Sequence, residues 1–138
     1  MNMNKDVEST LVIIKPDGMK NSEKIIDIFL DNGLNITYED TRMLDQETLN
    51  EHYAHLVDKE FYPSLCEYML SGDVKVLVVT GEDAVSRVRD LVGPTDSSIA
   101  PEWTIRGKFG ENKQRNAVHA SDSVENAGIE IKRFVKEK

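Results

Sequence analysis

The sequence predicts an α+β fold, in which helices cover a four-stranded antiparallel sheet. Two observations lead to it. Short apolar or alternating runs typical of strands occur at four places, and helix-like apolar repeats separate them. If two short helices between residues 46 and 71 are set aside, the order is strand, helix, strand, strand, helix, strand and a terminal helix. This is the ferredoxin-like βαββαβ order, and we expect the helices on one face of the sheet.

The first predicted strand runs from Ser9 to Ile14 and ends in four consecutive apolar residues. Lys15-Pro16-Asp17-Gly18 stops it, because Pro16 lacks an N–H and Gly18 can adopt a positive φ. We therefore expect Lys15 at the lip of the sheet, where its ammonium group could meet a ligand. The alternative is a solvent-facing lysine at a turn.

A helix follows, capped by Asn21 or Ser22 and continuing to Asp31, with Asn32-Gly33 as its exit. From Leu34 towards Met43 apolar and polar residues alternate, which predicts a half-exposed strand. Because only a short break precedes this strand, we expect it beside the first one.

Two short helices come next, one over Gln46 to His55 and one that begins at Pro63 after Phe61. His52 and His55 are three residues apart and could approach a metal ion, but no third ligand has suitable spacing. We expect both histidines to be surface or packing residues.

A buried strand over Val74 to Thr80 and a helix over residues 84 to 92 complete the central part of the chain. Pro94 to Asn116 then shows little periodicity, and we interpret it as a long loop. Loops of this length inside a compact domain usually carry function or an interface.

The segment from Asn116 to Ser123 places a lone histidine, His119, between a short strand and a helix over Val124 to Phe134. Ser121, Asp122 and Ser123 are good N-cap residues, and free N–H groups at a helix start favour an anion. Neutral imidazole is also a competent nucleophile near pH 7. The alternative is an ordinary histidine beside a capped helix.

Composition indicates one domain over residues 1–138. A net charge of −8 disfavours nucleic acid as a partner, although a basic cluster between residues 87 and 115 could still bind a small anion. Apolar runs are too short for a membrane span, and residues 1–6 lack the apolar core of a secretion signal. Cys66 is the single cysteine, so we expect no intrachain disulfide and a cytoplasmic location.

Several short motifs together resemble the nucleoside diphosphate kinase family, from about Thr10 to Phe134. Each is weak alone, but all occur in the family's order at near-family spacing. They are Ile14-Lys15-Pro16-Asp17-Gly18, His52-Tyr53, Phe61-Tyr62-Pro63, Arg89, Gly93, Thr95, Thr104-Ile105-Arg106-Gly107, Asn116-Ala117-Val118-His119-Ala120-Ser121-Asp122-Ser123 and Glu130.

The resemblance implies that His119 takes the γ-phosphate of a nucleoside triphosphate and passes it to a nucleoside diphosphate. Glu130 would hold the other ring nitrogen of His119. By their positions in the family, Arg89, Thr95 and Arg106 match phosphate ligands, and Tyr53 matches a residue beside the transferred phosphoryl group. Lys15 and Asn116 match contacts to the sugar and phosphate, and Phe61 matches the aromatic residue on which the base stacks.

The resemblance also implies Mg²⁺ on the substrate phosphates, with at most water-mediated help from Asp122. It implies a homo-oligomer, for which we expect a hexamer, then a tetramer, then a dimer. Trp103 would be an interface anchor, whereas the altered Asp96-Ser97-Ser98 segment and the early end at Lys138 argue against a hexamer. Two other classes remain: a nucleotide-binding module without catalysis, and a protein-to-protein phosphohistidine relay.

Overall fold

The computed structural model describes residues 7–135. Residues 1–6, to which the expectation about a secretion signal applies, lie outside the described residues. So do residues 136–138, to which the expectation about the early end of the chain applies. Short 3-10 helices occupy Pro16–Asn21, Ala54–Leu56 and Ser97–Ile99. The strands are β1 (Val7–Ile14), β2 (Asn35–Arg42), β3 (Val74–Glu82) and β4 (Val118–Ala120). The helices are α1 (Ser22–Asp31), α2 (Gln46–His52), α3 (Tyr62–Met69), α4 (Ala84–Val92), α5 (Ile105–Phe109) and α6 (Val124–Phe134).

The four strands form one antiparallel sheet in the order β2-β3-β1-β4. The α+β prediction is confirmed, but the expected place of β2 beside β1 was wrong. One helix between two strands brings the chain back in its original direction, so β1 and β2 run parallel and cannot be neighbours in an antiparallel sheet. β3 runs opposite to both and fills the gap between them.

Helices cover both faces of the sheet, so the expectation of a single covered face was also wrong. The four apolar residues that end β1 point alternately to the two sides, and both sides need cover. Val12 and Ile14 pack with α1 and α4, whereas Leu11 and Ile13 pack with α2, α3 and the end of α6.

The segment from Pro94 to Asn116 has more structure than the predicted loop, because it contains α5 and a 3-10 turn. Thr104 caps α5 by accepting a hydrogen bond from the Gly107 N–H at 2.9 Å. Ile105 is fully buried in the core that α1 and α4 cover. Phe109, at the other end of α5, also packs against this core. A helix of five residues is too short to show a helical period.

Two chain segments meet at one edge of this fold. β4 pairs with the end of β1, with Ile13 opposite His119. Just beyond β1, the Lys15 N–H donates to the Ala117 carbonyl at 2.8 Å.

Within residues 7–135 no helix combines the length and the apolar composition that a membrane crossing needs.

Candidate active site

A cavity of about 1020 Å³ opens where β1 and β4 meet, beside α2 and α6. It brings together residues that are far apart in the sequence, and every site residue predicted from the sequence lies on its wall. They are Lys15, Tyr53, Phe61, Arg89, Thr95, Arg106, Asn116, His119, Asp122 and Glu130.

A strained corner at Ala117 positions the residues on both sides of it. Ala117 has a φ of 73°, an unfavourable value for a residue with a side chain. The Asp17 carboxylate accepts a hydrogen bond from its N–H at 3.1 Å, which holds the corner. A methyl group at Gly18 would lie 2.5 Å from the Ala117 carbonyl oxygen. Gly18 is therefore needed for this close approach, and not for the positive φ that we predicted.

Lys15 and Asn116 form a buried pair beside that corner. The Lys15 Nζ donates to the Asn116 Oδ1 at 2.8 Å, and the Asn116 Nδ2 donates to the Thr95 carbonyl at 2.9 Å. Lys15 is only 6% exposed, which excludes the solvent-facing alternative. Burial, with the nearby charge of Arg106, lowers the pKa of Lys15 to about 8.

His119 and Glu130 form the polar pair at the floor of the cavity. The His119 Nε2 lies 2.9 Å from the Glu130 Oε1, which also accepts a hydrogen bond from the Ser121 Oγ at 2.6 Å. Burial raises the pKa of Glu130, but hydrogen bonds from His119 and Ser121 outweigh it and bring the pKa to about 2. An ionised carboxylate only accepts, so the proton of neutral His119 sits on Nε2 and the lone pair on Nδ1.

The cavity is positively charged although the chain as a whole is acidic. Its lining contains five Lys or Arg residues and three carboxylates, against a net charge of −8 for the full chain. Arg106 donates to the Gly93 carbonyl at 2.9 Å and to the Val118 carbonyl at 3.0 Å, which fixes its guanidinium. Burial, with the charge of Arg89, lowers the pKa of Arg106 to about 10, so it stays charged at neutral pH.

Two aromatic residues line the cavity in different ways. Tyr53 is 8% exposed, and burial raises the pKa of its hydroxyl. Phe61 lies before α3 and is 51% exposed, so its ring is open to a flat ligand at the entrance. The site thus combines fixed cations, an exposed aromatic ring and a histidine whose second ring nitrogen makes no hydrogen bond within residues 7–135.

Comparison with known proteins shows the family of this chain. The family model described as nucleoside diphosphate kinase matches residues 8–138. This chain belongs to the nucleoside diphosphate kinase family. The Campylobacter jejuni subsp. jejuni enzyme of that name is 46% identical over 132 residues, 94% of this chain and 96% of that protein.

Solved structures of the family share the fold. The Aquifex aeolicus nucleoside diphosphate kinase has a TM-score of 0.87 and 39% identity, covering 95% of this chain and 96% of its own. A Halobacterium salinarum nucleoside diphosphate kinase in complex with CDP has a TM-score of 0.91 and 34% identity, covering 96% and 90% respectively. The resemblance and the ferredoxin-like fold inferred from the sequence are therefore confirmed.

Three residues of the site were not predicted as functional. Ser121 looked like a helix cap, but Ser123 caps α6 and Ser121 binds Glu130. His52 is indeed a packing residue, but it packs against His119, and Arg133 binds it. The position of Arg133 one turn beyond Glu130 was the available signal, since residues three apart share a helix face.

The cavity residues provide little for a metal ion. Glu130 is engaged by His119 and Ser121, and exposed Asp122 accepts a hydrogen bond from Asn126. His52, His119 and Glu130 each have one possible ligand atom, and these atoms lie within 4.8 Å of one another. His119 Nε2 and the Glu130 carboxylate are already bonded to each other, and the Nδ1 of His52 is bonded to Arg133. Because a guanidinium only donates, Nδ1 of His52 accepts and Nε2 carries the proton, which leaves no lone pair there. The set fits a metal that is held mainly by substrate phosphates, with water-mediated help from Asp122.

Proposed function

We propose that this chain transfers the γ-phosphate of a nucleoside triphosphate, typically ATP, to a nucleoside diphosphate through a phosphohistidine on His119. The family is one of kinases, so the enzyme class is phosphotransferase. The observation that carries the mechanism is the 2.9 Å contact between His119 Nε2 and Glu130, which leaves Nδ1 as the nucleophile. In residues 7–135 no side chain or backbone group hydrogen-bonds this Nδ1.

The reaction balances in two half-steps. In the first, Nδ1 forms a bond to the γ-phosphorus, the bond to the bridging oxygen breaks, and the nucleoside diphosphate leaves. In the second, a terminal oxygen of another nucleoside diphosphate attacks the same phosphorus and the N–P bond breaks. Covalent storage lets one site serve donor and acceptor in turn.

We assign the other residues by their positional match to the family, which their common place on the cavity wall supports. Arg89, Thr95 and Arg106 would hold phosphate oxygens, whose negative charge the positive cavity favours. Lys15 and Asn116 would contact sugar and phosphate, and Tyr53 would lie beside the phosphoryl group. Phe61 would stack on the base, and a stacking contact accepts any base. The CDP in the Halobacterium salinarum relative supports a nucleotide as ligand.

Mg²⁺, held on the substrate phosphates as described above, would neutralise phosphate charge. Its need is tested by exchange assays with and without a chelator. We also propose a cytoplasmic location, since the free thiol of Cys66 suits a reducing compartment.

The protein's own assembly is a further proposal. We propose a homo-oligomer, first a hexamer and then a tetramer or dimer. Ile99 and Trp103 are 74% and 61% exposed on the segment that carries Thr95 and Arg106, and another subunit could cover them. Light scattering after size exclusion should give the mass of an oligomer; a fully active monomer would contradict this.

The decisive experiment is γ-phosphate exchange between ATP and several nucleoside diphosphates. The proposed function requires exchange with all of them and an acid-labile phosphate on the protein after incubation with ATP alone. Binding without exchange would indicate a module without catalysis. A labile phosphate that passes to a second protein but not to nucleotides would indicate a relay.

A further inference from the structure

His52 is a buried residue of the cavity to which the proposed reaction assigns no task. Its side chain, at the end of α2, is 7% exposed. Its ring meets that of His119 edge to face, with the ring centres 4.6 Å apart and the planes at 82°. Contacts with Tyr53 and Phe134 hold it on other sides. His52 is therefore part of the wall against which His119 rests.

The two ring nitrogens of His52 have different surroundings. Arg133 donates from Nη1 to the Nδ1 at 3.0 Å, so the neutral ring must carry its proton on Nε2. This Nε2 is buried, and no group in the described part of the chain accepts a hydrogen bond from it. Such unpaired buried donors are rare and call for a reason.

The charge state of His52 fits this description. Burial and the neighbouring His119 lower the pKa of His52 to about 3, against the opposing charge of Glu130. Arg133 on α6 and Lys15 beyond β1 add positive charge from two further elements. His52 is therefore neutral at physiological pH, and the Nε2–H is the dipole of its ring that has no partner in the described residues.

The nearest negative charge in the cluster belongs to Glu130. An oxygen of Glu130 and one ring nitrogen from each of His52 and His119 lie within 4.8 Å of one another. In a site shielded from water, the Nε2–H dipole carried by the same His52 ring favours an ionised carboxylate nearby. Glu130 in turn sets the tautomer of His119.

We propose that His52 and Arg133 are positioning residues for His119. Arg133 holds His52 in the Nε2–H form, and this buried N–H stabilises the Glu130 carboxylate that keeps the His119 lone pair on Nδ1. The inference rests on the proposed function, because it assigns these residues a task in the same reaction.

The tautomers can be observed directly by ¹⁵N NMR of the full chain labelled at its three histidines. In the wild type at pH 7.5 both His52 and His119 should be neutral Nε2–H forms. In Arg133→Met, His52 should shift substantially towards the Nδ1–H form, and the Nε2–H fraction of His119 should fall. Lys132→Met, at the exposed neighbouring position, is the matched control and should change neither ring. An unchanged His52 in Arg133→Met would overturn the inference.

Two substitutions of His52 separate hydrogen bonding from packing. Gln can accept from Arg133 and donate an N–H, whereas Phe keeps the aromatic volume and does neither. In single-turnover phosphorylation by ATP, His52→Gln should stay within about threefold of wild type. His52→Phe should lose about tenfold or more, the equivalent of one buried hydrogen bond, with ADP affinity unchanged. The reverse order would indicate a packing role and overturn the inference.

The outcomes distinguish this inference from the proposed function. A wild type that takes up no phosphate would refute the proposed function. A wild type that is phosphorylated normally, with the His52 variants in the reverse order, would refute only the inference. Melting temperatures identify a variant that does not fold. If His52→Phe does not fold, the phosphorylation rates of Arg133→Met and Lys132→Met are compared in the same single-turnover assay to decide the question.

Discussion

The inner wall of the cavity and its mouth are built in different ways. The inner wall is buried or half-buried, and most of its side chains are hydrogen-bonded across several elements. The mouth is exposed, and its residues lie just before α3, at the end of α4, in the segment that follows α4 and just before α6. The inner wall consists of Lys15, Tyr53, Arg106, Asn116, His119 and Glu130, and the mouth of Phe61, Arg89, Thr95 and Asp122.

This difference indicates a division of labour. Groups on the inner wall cannot reorient freely, so they are already in place when charge develops on the transferred phosphate. Groups at the mouth can adjust to different nucleotides, and their contacts contribute mainly to binding. Substitutions in the inner wall should therefore lower kcat, whereas substitutions at the mouth should raise KM.

The largest effect should come from His119→Ala. Without the nucleophile, phosphate exchange should fall to background, while ADP binding and the melting temperature stay close to wild type. His55→Ala is the matched control, because His55 also lines the cavity but is exposed and makes no contact with His119 in the described residues. Exchange and phosphoprotein formation measure the result; a His119→Ala protein that turns over would show that another residue accepts the phosphate.

The second largest effect should be that of Arg106→Ala, compared with Lys113→Ala at the exposed rim. A charge-assisted hydrogen bond in a partly buried site contributes about 1.5–3 kcal/mol, so exchange should fall roughly ten- to a hundredfold. Lys113 has no assigned contact and its loss should change the rate little.

Arg106 also binds two backbone carbonyls, so its variant must be checked for folding by thermal melting. Arg106→Lys keeps the charge without the planar geometry and should give an intermediate rate. Equal losses of exchange activity in Arg106→Ala and Lys113→Ala would contradict the distinction between the inner wall and the exposed residues of the cavity lining.

The parts of the fold that local sequence specifies were predicted well. Strand and helix positions follow from apolar spacing, and the cluster around His119 follows because its motifs lie at the ends of β1 and β4. The neighbour of β2 depends on chain direction across the whole sheet, which the short break before it does not reveal. The helix α5 rests on the burial of Ile105, which is a tertiary contact.

The pair formed by His52 and Arg133 shows a different limit. These residues are 81 positions apart, and neither has a spacing that points to the other. His52 was expected to be a surface or packing residue, and its spacing to His55 suggested only a metal ion as an alternative partner, whereas the partner proved to be a cation. Local spacing cannot distinguish a metal ligand from an acceptor held by arginine until the fold brings the second group close.

A third prediction concerns pH and the inner wall. The pKa of Lys15 is about 8 in the free enzyme, below its ordinary value, so its charge is lost as pH rises through 8. Since kcat/KM reports free-enzyme pKa values, it should fall by about tenfold towards pH 9. Lys15→Arg stays charged and should move this alkaline limb to higher pH, even if its maximal rate is lower.

The control for this pH profile is Lys108→Arg, which changes an exposed lysine outside the cavity lining. Its pH profile should match the wild type. An alkaline limb at the same pH in Lys15→Arg would assign that limb to another group, and the buried Lys15 would then act by hydrogen bonding to Asn116 alone.

The smallest effect should come from Phe61→Ala at the mouth. Stacking on an aromatic ring contributes about 1–3 kcal/mol per base, and a ring that is 51% exposed should lie near the lower end. KM should therefore rise about fivefold for every nucleoside diphosphate, with kcat nearly unchanged. Val57→Ala, which trims a 41% exposed apolar residue outside the cavity lining, should leave both constants as they are. Steady-state kinetics with purine and pyrimidine substrates would measure both constants. A fall in kcat as large as the rise in KM would mean that the mouth helps to position the phosphate. The division between inner wall and mouth would then not hold.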